Sequence, residues 1–142
     1  MPSAYNKFEA FSEQLIRGIH DVDGHVFKVY LTNATPSASL DAVKADLAEI
    51  AAGFGYSAGG GTTTITVSEA AGTTTVQGTQ VVFTASGGSI GPFQYAVLYN
   101  ESTVSDNLVA WFDYGAALTL LDGETLTVKF NNANPGTIFT LV

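Results

Sequence analysis

A chain of 142 residues that is 46% hydrophobic and 13% charged is long enough to bury one core and too apolar to remain disordered. Its net charge of -8, from 13 carboxylates against five basic side chains, argues against a phosphate-binding face for nucleic acid and against an anionic membrane surface. The absence of cysteine excludes disulfides, thiolate catalysis and Cys-ligated zinc. No apolar run approaches the roughly 20 residues of a membrane span, and the opening MPSAYNKFEAF has neither the basic nor the apolar region of a secretory signal.

Taken in chain order, the spacing of Phe8, Phe11, Leu15 and Ile19 predicts a helix over residues 5–19, ended by Gly18 and the polar stretch 21–24. Residues 26–32 (VFKVYLT) place Phe27, Val29 and Leu31 on one face, which is a strand of period two. Leu40, Val43, Leu47 and Ile50 form a stripe that predicts a second helix over residues 39–52. Ser37 or Ser39 serves as its N-cap, Asp41 lies in its first turn, and Gly53 stands at its C-terminal end. From residue 62 onward everything reads as strand and turn. TTTITV and GTTTVQGT form the two exposed strands of a hairpin, and residues 81–85 form a further strand.

Residues 84–130 then hold at least four short strands, apolar on both faces, with the few charges mainly in the turns. Asp122-Gly123 is a hairpin signal, and Leu126, Val128 and Phe130 alternate with Thr127 and Lys129. The closing TIFTLV is a last strand. Roughly eight strands with turns every 8–12 residues predict one mainly β domain over residues 1–142. Its expected form is an antiparallel, jelly-roll-like β-sandwich carrying two short helices from the first third of the chain.

Few residues invite chemistry. Gly55-Tyr56-Ser57-Ala58-Gly59 satisfies the G-x-S-x-G pattern, but a nucleophile elbow needs a strand before it and a helix after it. Here the order is reversed, and both histidines, His20 and His25, precede the serine. The overlapping G-x-G-x-x-A at residues 53–58 fails the same context requirement for a dinucleotide site. His20, Asp21, Asp23 and His25 could supply four metal ligands, yet Asp and Gly at this place equally make a helix-to-strand turn, and that reading is favoured. The aromatic residues Phe93, Tyr95, Tyr99, Trp111, Phe112 and Tyr114 could line a sugar cleft, or fill a core and an interface, which is favoured. Asn33-Ala34-Thr35 and Asn100-Glu101-Ser102 match the glycosylation pattern, which carries no weight without a secretory signal. No catalytic residue, metal site or cofactor is assigned.

The runs TASGGSIGPFQYAVLYN, LVAWFDYG and LDGETLTVKFN, preceded by VFKVYLTNATPS and AEIAAGFGYSAGG, resemble small virion structural proteins of tailed bacteriophages, over nearly the whole chain. The resemblance implies a non-enzymatic virion component, foremost a head decoration (cement) protein. It would form a homo-oligomer, typically a trimer, and bind the major capsid protein or other virion proteins. The alternative is a carbohydrate- or receptor-binding knob of a tail or head fibre, or another tail-associated component. No heptad run that could form a fibre shaft is present, which favours decoration.

The residues themselves give the candidate interface. Strands apolar on both faces need cover on both sides, from the same chain or from a neighbouring subunit. Loops and termini carry function on a rigid β scaffold. The expected contact residues are therefore Tyr5, Phe8 and Phe11 near the N-terminus, Gly87, Gly88, Ile90, Pro92 and Phe93 around the glycine-rich turn, and Tyr95 and Trp111 on the strands. Residues 100–107 form a second candidate contact loop.

Overall fold

The computed structural model describes residues 4–142. It is mainly β and antiparallel, as the alternating apolar pattern predicts. The strands are β1 (Asn6–Lys7), β2 (Phe27–Thr32), β3 (Gly61–Thr63), β4 (Ile65–Ala70), β5 (Thr73–Gly78), β6 (Val81–Thr84), β7 (Ile90–Asn100), β8 (Asn107–Leu120), β9 (Thr125–Val128) and β10 (Gly136–Leu141). One α-helix, α1 (Glu9–Ile16), lies between β1 and β2.

A five-stranded sheet in the order β1-β8-β7-β2-β3 is the largest unit, beside a three-stranded sheet β10-β5-β4 and the pair β6-β9. From β5 onward the chain is a set of nested antiparallel pairs, with β7 on β8, β6 on β9 and β5 on β10. The main core lies between the large sheet and the two smaller ones. Phe27, Val29, Leu31, Leu98 and Phe112 on one side meet Val76, Val81, Phe83 and Ile138 on the other. Burying such side chains stabilises the fold by about 1.5–3 kcal/mol each.

The opposite face of the large sheet carries a second core of Phe8, Tyr30, Leu47, Val97, Tyr99 and Leu108. Its cover comes from the chain itself. Leu47 and Ala34 belong to the segment between β2 and β3, and Phe8 joins β1 to α1. The double-faced strands seen in the sequence are thus closed on both sides without a second subunit.

Three sequence expectations are corrected. The helix predicted over residues 39–52 is absent, and only a 3-10 turn, Lys44–Asp46, forms there. Asp41 and Asp46 divert the backbone: Ser37 N–H donates to Asp41 (2.7 Å), and Ala42 and Val43 N–H donate to Asp46 (2.8 and 3.0 Å). Such local bonds compete with a helical ladder. The segment is then tied to strands, through Leu108 N–H to Ala42 O and Ile50 N–H to Leu31 O. The leucine stripe is split accordingly, with Leu40 81% exposed and Leu47 buried.

The first helix is shorter than residues 5–19. Asn6 and Lys7 pair with β8, Phe8 is extended, and Gly18 at φ 78° ends the helical turn. Finally, Asp122-Gly123 does form a tight turn, closed by Glu124 N–H to Leu121 O at 2.8 Å, but not a hairpin. It carries the chain from one sheet to another, because β8 pairs with β7 while β9 pairs with β6. The Thr-rich hairpin is present as β4 and β5, turning at Ala71-Gly72.

Candidate functional site

The ten residues singled out from sequence do not form one patch. Phe8, Phe11, Ile90, Phe93 and Tyr95 are buried in the single chain. Trp111 is half-buried and packs on Phe8, with ring centroids 4.7 Å apart. Tyr5 lies against Phe112 and Phe139. Its hydroxyl is buried without a hydrogen-bond partner among the described residues, and burial pushes its pKa up to about 12. Only Gly87 and Pro92 are exposed, and Gly88 is half-buried beside the Phe54 ring. Aromatic residues within short apolar strands read alike whether they face a core or a partner, which is why the sequence could not separate them.

Exposed large apolar side chains are scattered, with Ile16 and Ile19 after β1, Val82 on β6, Tyr114 on β8 and Leu141 and Val142 at the end of β10, but two further groups lie at opposite ends of the β7–β8 ribbon. At one end Phe54 and Leu121, 57% and 60% exposed, border residues 85–88. Ser86 N–H donates to Phe54 O, and Gly87 N–H donates to Asp122 Oδ1 at 2.9 Å. At the other end are Val26, Leu40 and Val104, the last two almost fully exposed. Their segments are held together by Glu101 N–H to Val26 O and Lys44 N–H to Asp106 O. The two loops expected to make contacts, residues 86–92 and 100–107, therefore lie at the two ends of β7, roughly 33 Å apart at about 3.3 Å per residue.

Two polar networks that the sequence did not reveal tie loops to the large sheet. Behind the large sheet, Glu49 accepts hydrogen bonds from Lys44 Nζ (2.8 Å), Tyr56 Oη (2.6 Å) and Gly59 N–H (2.6 Å). Burial acts to raise the Glu49 pKa, but the bonds from Lys44, Tyr56 and Gly59 outweigh it and hold the carboxyl below its ordinary value. Tyr56 Oη in turn accepts from Leu31 N–H at 3.1 Å, beyond the part of β2 that β3 pairs with. Burial, then the bond to Glu49, pushes the Tyr56 pKa upward.

At the 100–107 end, Asn100 is fully buried and its amide donates to His20 Nδ1 (3.1 Å) and His25 Nδ1 (2.9 Å). Its carbonyl oxygen accepts from Ser102 N–H at 3.0 Å. The bond from Asn100 makes Nδ1 of His20 an acceptor, so that imidazole is neutral. His20 Nε2 then donates to Gln14 Oε1 (3.1 Å), and burial, with the charge of His25 second, lowers the His20 pKa to about 4. The His/Asp cluster noted in the sequence is thus built into a loop clamp, and no group of three or more metal-capable side chains converges among the described residues. Ser57 is exposed in the loop that leads into β3, which is not the strand-to-helix setting of a nucleophile elbow.

A cleft opens between β8 and β9. β7 advances two residues from Phe93 to Tyr95 where β8 advances five, from Asp113 to Leu118, so residues 114–117 bulge away from β7. Gly115, at φ 97°, makes the bend, and Asp113 Oδ1 fixes it by accepting from Gly115 N–H (2.7 Å) and Gln94 Nε2 (3.1 Å). The bulge presents Tyr114, 37% exposed, to the cleft. No protein-family model, curated protein or solved structure matches this chain.

Proposed function

We propose that this chain is a non-enzymatic structural protein of a tailed-bacteriophage virion, and that it acts as a capsid decoration (cement) subunit stabilising the head. One observation carries the reading. A rigid ribbon whose faces are already filled presents exposed apolar residues at both ends, Phe54 and Leu121 at one and Leu40 and Val104 at the other. Such a body suits bridging two neighbouring surfaces better than enclosing a substrate. The partner in this reading is the major capsid protein or another virion protein, contacted through loops that a stiff scaffold holds in place. Each contact is small, and the sum is set by copy number on the lattice.

The nested pairs from β5 to β10, facing a larger sheet, support a sandwich of the jelly-roll-like type. A homo-oligomer, a trimer where capsid subunits meet, is supported by the edge strand β10, whose end carries Leu141 and Val142 in solvent. Net charge of -8 would keep free copies soluble. Electron microscopy of the virion tests the reading. Density for this chain in regular positions over the head lattice is expected, and density confined to the tail or its fibres would overturn it.

A further inference from the structure

From the open edge of the β4–β5 hairpin we infer that two copies of this chain pair along β4, antiparallel and about a two-fold axis, joining their three-stranded sheets into one. This goes beyond head stabilisation and uses a different edge from β10, so it does not depend on that reading. The turn shows which backbone groups are free. Ala71 and Gly72, at φ 52° and 85°, make a two-residue turn with Ala70 opposite Thr73. The residues flanking such a turn exchange both backbone hydrogen bonds, and the bonding then alternates along the strand. Thr66, Ser68 and Ala70 therefore bond to β5, in phase with Thr79 N–H to Thr64 O at 3.1 Å. The N–H and C=O groups of Ile65, Val67 and Glu69 point the other way. β4 is an edge of its sheet, and these groups have no hydrogen-bond partner among the described residues.

The same row is filled one strand earlier. In β3, Gly61 and Thr63 are paired with Val29 and Phe27 of β2. β2 goes no further, because Val26 is bonded to Ser102 Oγ and to Glu101 N–H. The usual guards of an edge strand are also missing from β4, which has no lysine, no proline and no bulge. Its one charge, Glu69, is drawn to the turn by Gly72 N–H at 2.7 Å. Ile65 and Val67 pack on the main core yet remain only partly buried.

Charge selects a second copy as the occupant. Chains of net charge -8 repel one another, but residues 61–84 hold a single charged side chain, Glu69. This hairpin is where two acidic copies can meet with little repulsion. The strand also matches itself. Pairing centred on Val67 sets Val67 against its own copy, Ile65 against Glu69, and Thr66 against Ser68. Every outward backbone group then meets another, and the two Glu69 side chains lie about 13 Å apart along the strands.

The test is sedimentation equilibrium of the full chain from about 10 μM to about 1 mM. We expect a reversible dimer with a Kd of the order of 100 μM, as suits a small interface. Thr66 and Ser68 are exposed and face each other across the axis. Thr66→Lys with Ser68→Lys should therefore give a monomer, and so should Thr66→Glu with Ser68→Glu. Mixed in equal amounts, the two variants should associate at least about tenfold more tightly than either does alone. Leu141→Lys, on β10, should leave the Kd within about twofold. If a double substitution costs the fold, as read by circular dichroism, Ser68→Lys and Ser68→Glu replace it, because the two Ser68 positions lie diagonally across the axis. A monomer throughout the range, a dimer kept by both charged variants, a mixture that stays monomeric, or an assembly lost with Leu141→Lys instead would overturn the inference.

Discussion

Replacing Glu49 by alanine should unfold the protein at a markedly lower temperature, although Glu49 lies in no regular element. Its carboxylate accepts from Lys44, Tyr56 and Gly59 within 2.8 Å, and the Lys44 and Glu49 side chains are only 22% and 16% exposed. Loss of one partner from a fully buried pair costs about 3–5 kcal/mol. Discounting for the residual exposure leaves about 2–4 kcal/mol. At roughly 3–4 °C per kcal/mol for a domain of this size, the melting temperature should fall by about 6–16 °C. Thermal unfolding followed by circular dichroism, with urea titration for the free energy, measures it. Glu49→Gln keeps an acceptor for Tyr56 and Gly59 and should lose about half as much. A double-mutant cycle with Tyr56→Phe should show coupling of at least about 1 kcal/mol, since Tyr56 Oη links Glu49 to Leu31 N–H. A loss below about 1 kcal/mol, additive with Tyr56→Phe, would refute the view that this network clamps residues 44–60 to the sheet.

Acid should weaken the second clamp, at Asn100. The folded His20 pKa, about 4, is below its ordinary 6.5, so the unfolded chain binds the extra proton between these values. Stability from neutral His20 is complete above pH 6.5 and declines as pH falls toward 4, by about 1.4 kcal/mol per unit, and His20→Gln should remove that slope from a plot of urea-derived stability against pH. Tyr5→Phe deletes a hydroxyl that is buried without a partner among the described residues and should be neutral or stabilising by up to about 1 kcal/mol; a clear destabilisation in thermal melts would refute this. Gly60→Ala, at φ 79° with its Cβ driven into the Val29 carbonyl, should cost at least about 3 kcal/mol. Gly87→Ala, at φ 78° in open space, should cost only about 1 kcal/mol in the same assay.

The strands after residue 61 were legible because the apolar pattern alternates and Gly, Asn and Asp punctuate it. Pairing across distance was not. Asp122-Gly123 signals a turn equally well whether the chain returns along its own sheet or crosses to another. The false helix over residues 39–52 shows a second limit. The spacing of Leu40, Val43, Leu47 and Ile50 suits a helix, but Asp41 and Asp46 bond the local backbone and the strands capture the rest. Of the site, His20 and His25 were visible as residues, while the group that organises them, Asn100, lies 75 positions beyond His25. The β8 bulge had a local trace only in Gly115. Its position depends on the β7 register, which alternation within one strand does not encode.

The central claim is tested most directly by heating virions that lack this protein, with and without purified protein added back, and measuring genome release. Depleted particles should assemble and adsorb normally but release DNA at a lower temperature. Wild-type protein should restore the original temperature, while folded variants charged at either end, Leu40→Glu with Val104→Glu or Phe54→Glu with Leu121→Glu, should not. Unchanged heat stability of depleted particles, together with collapsed host adsorption, would contradict the account.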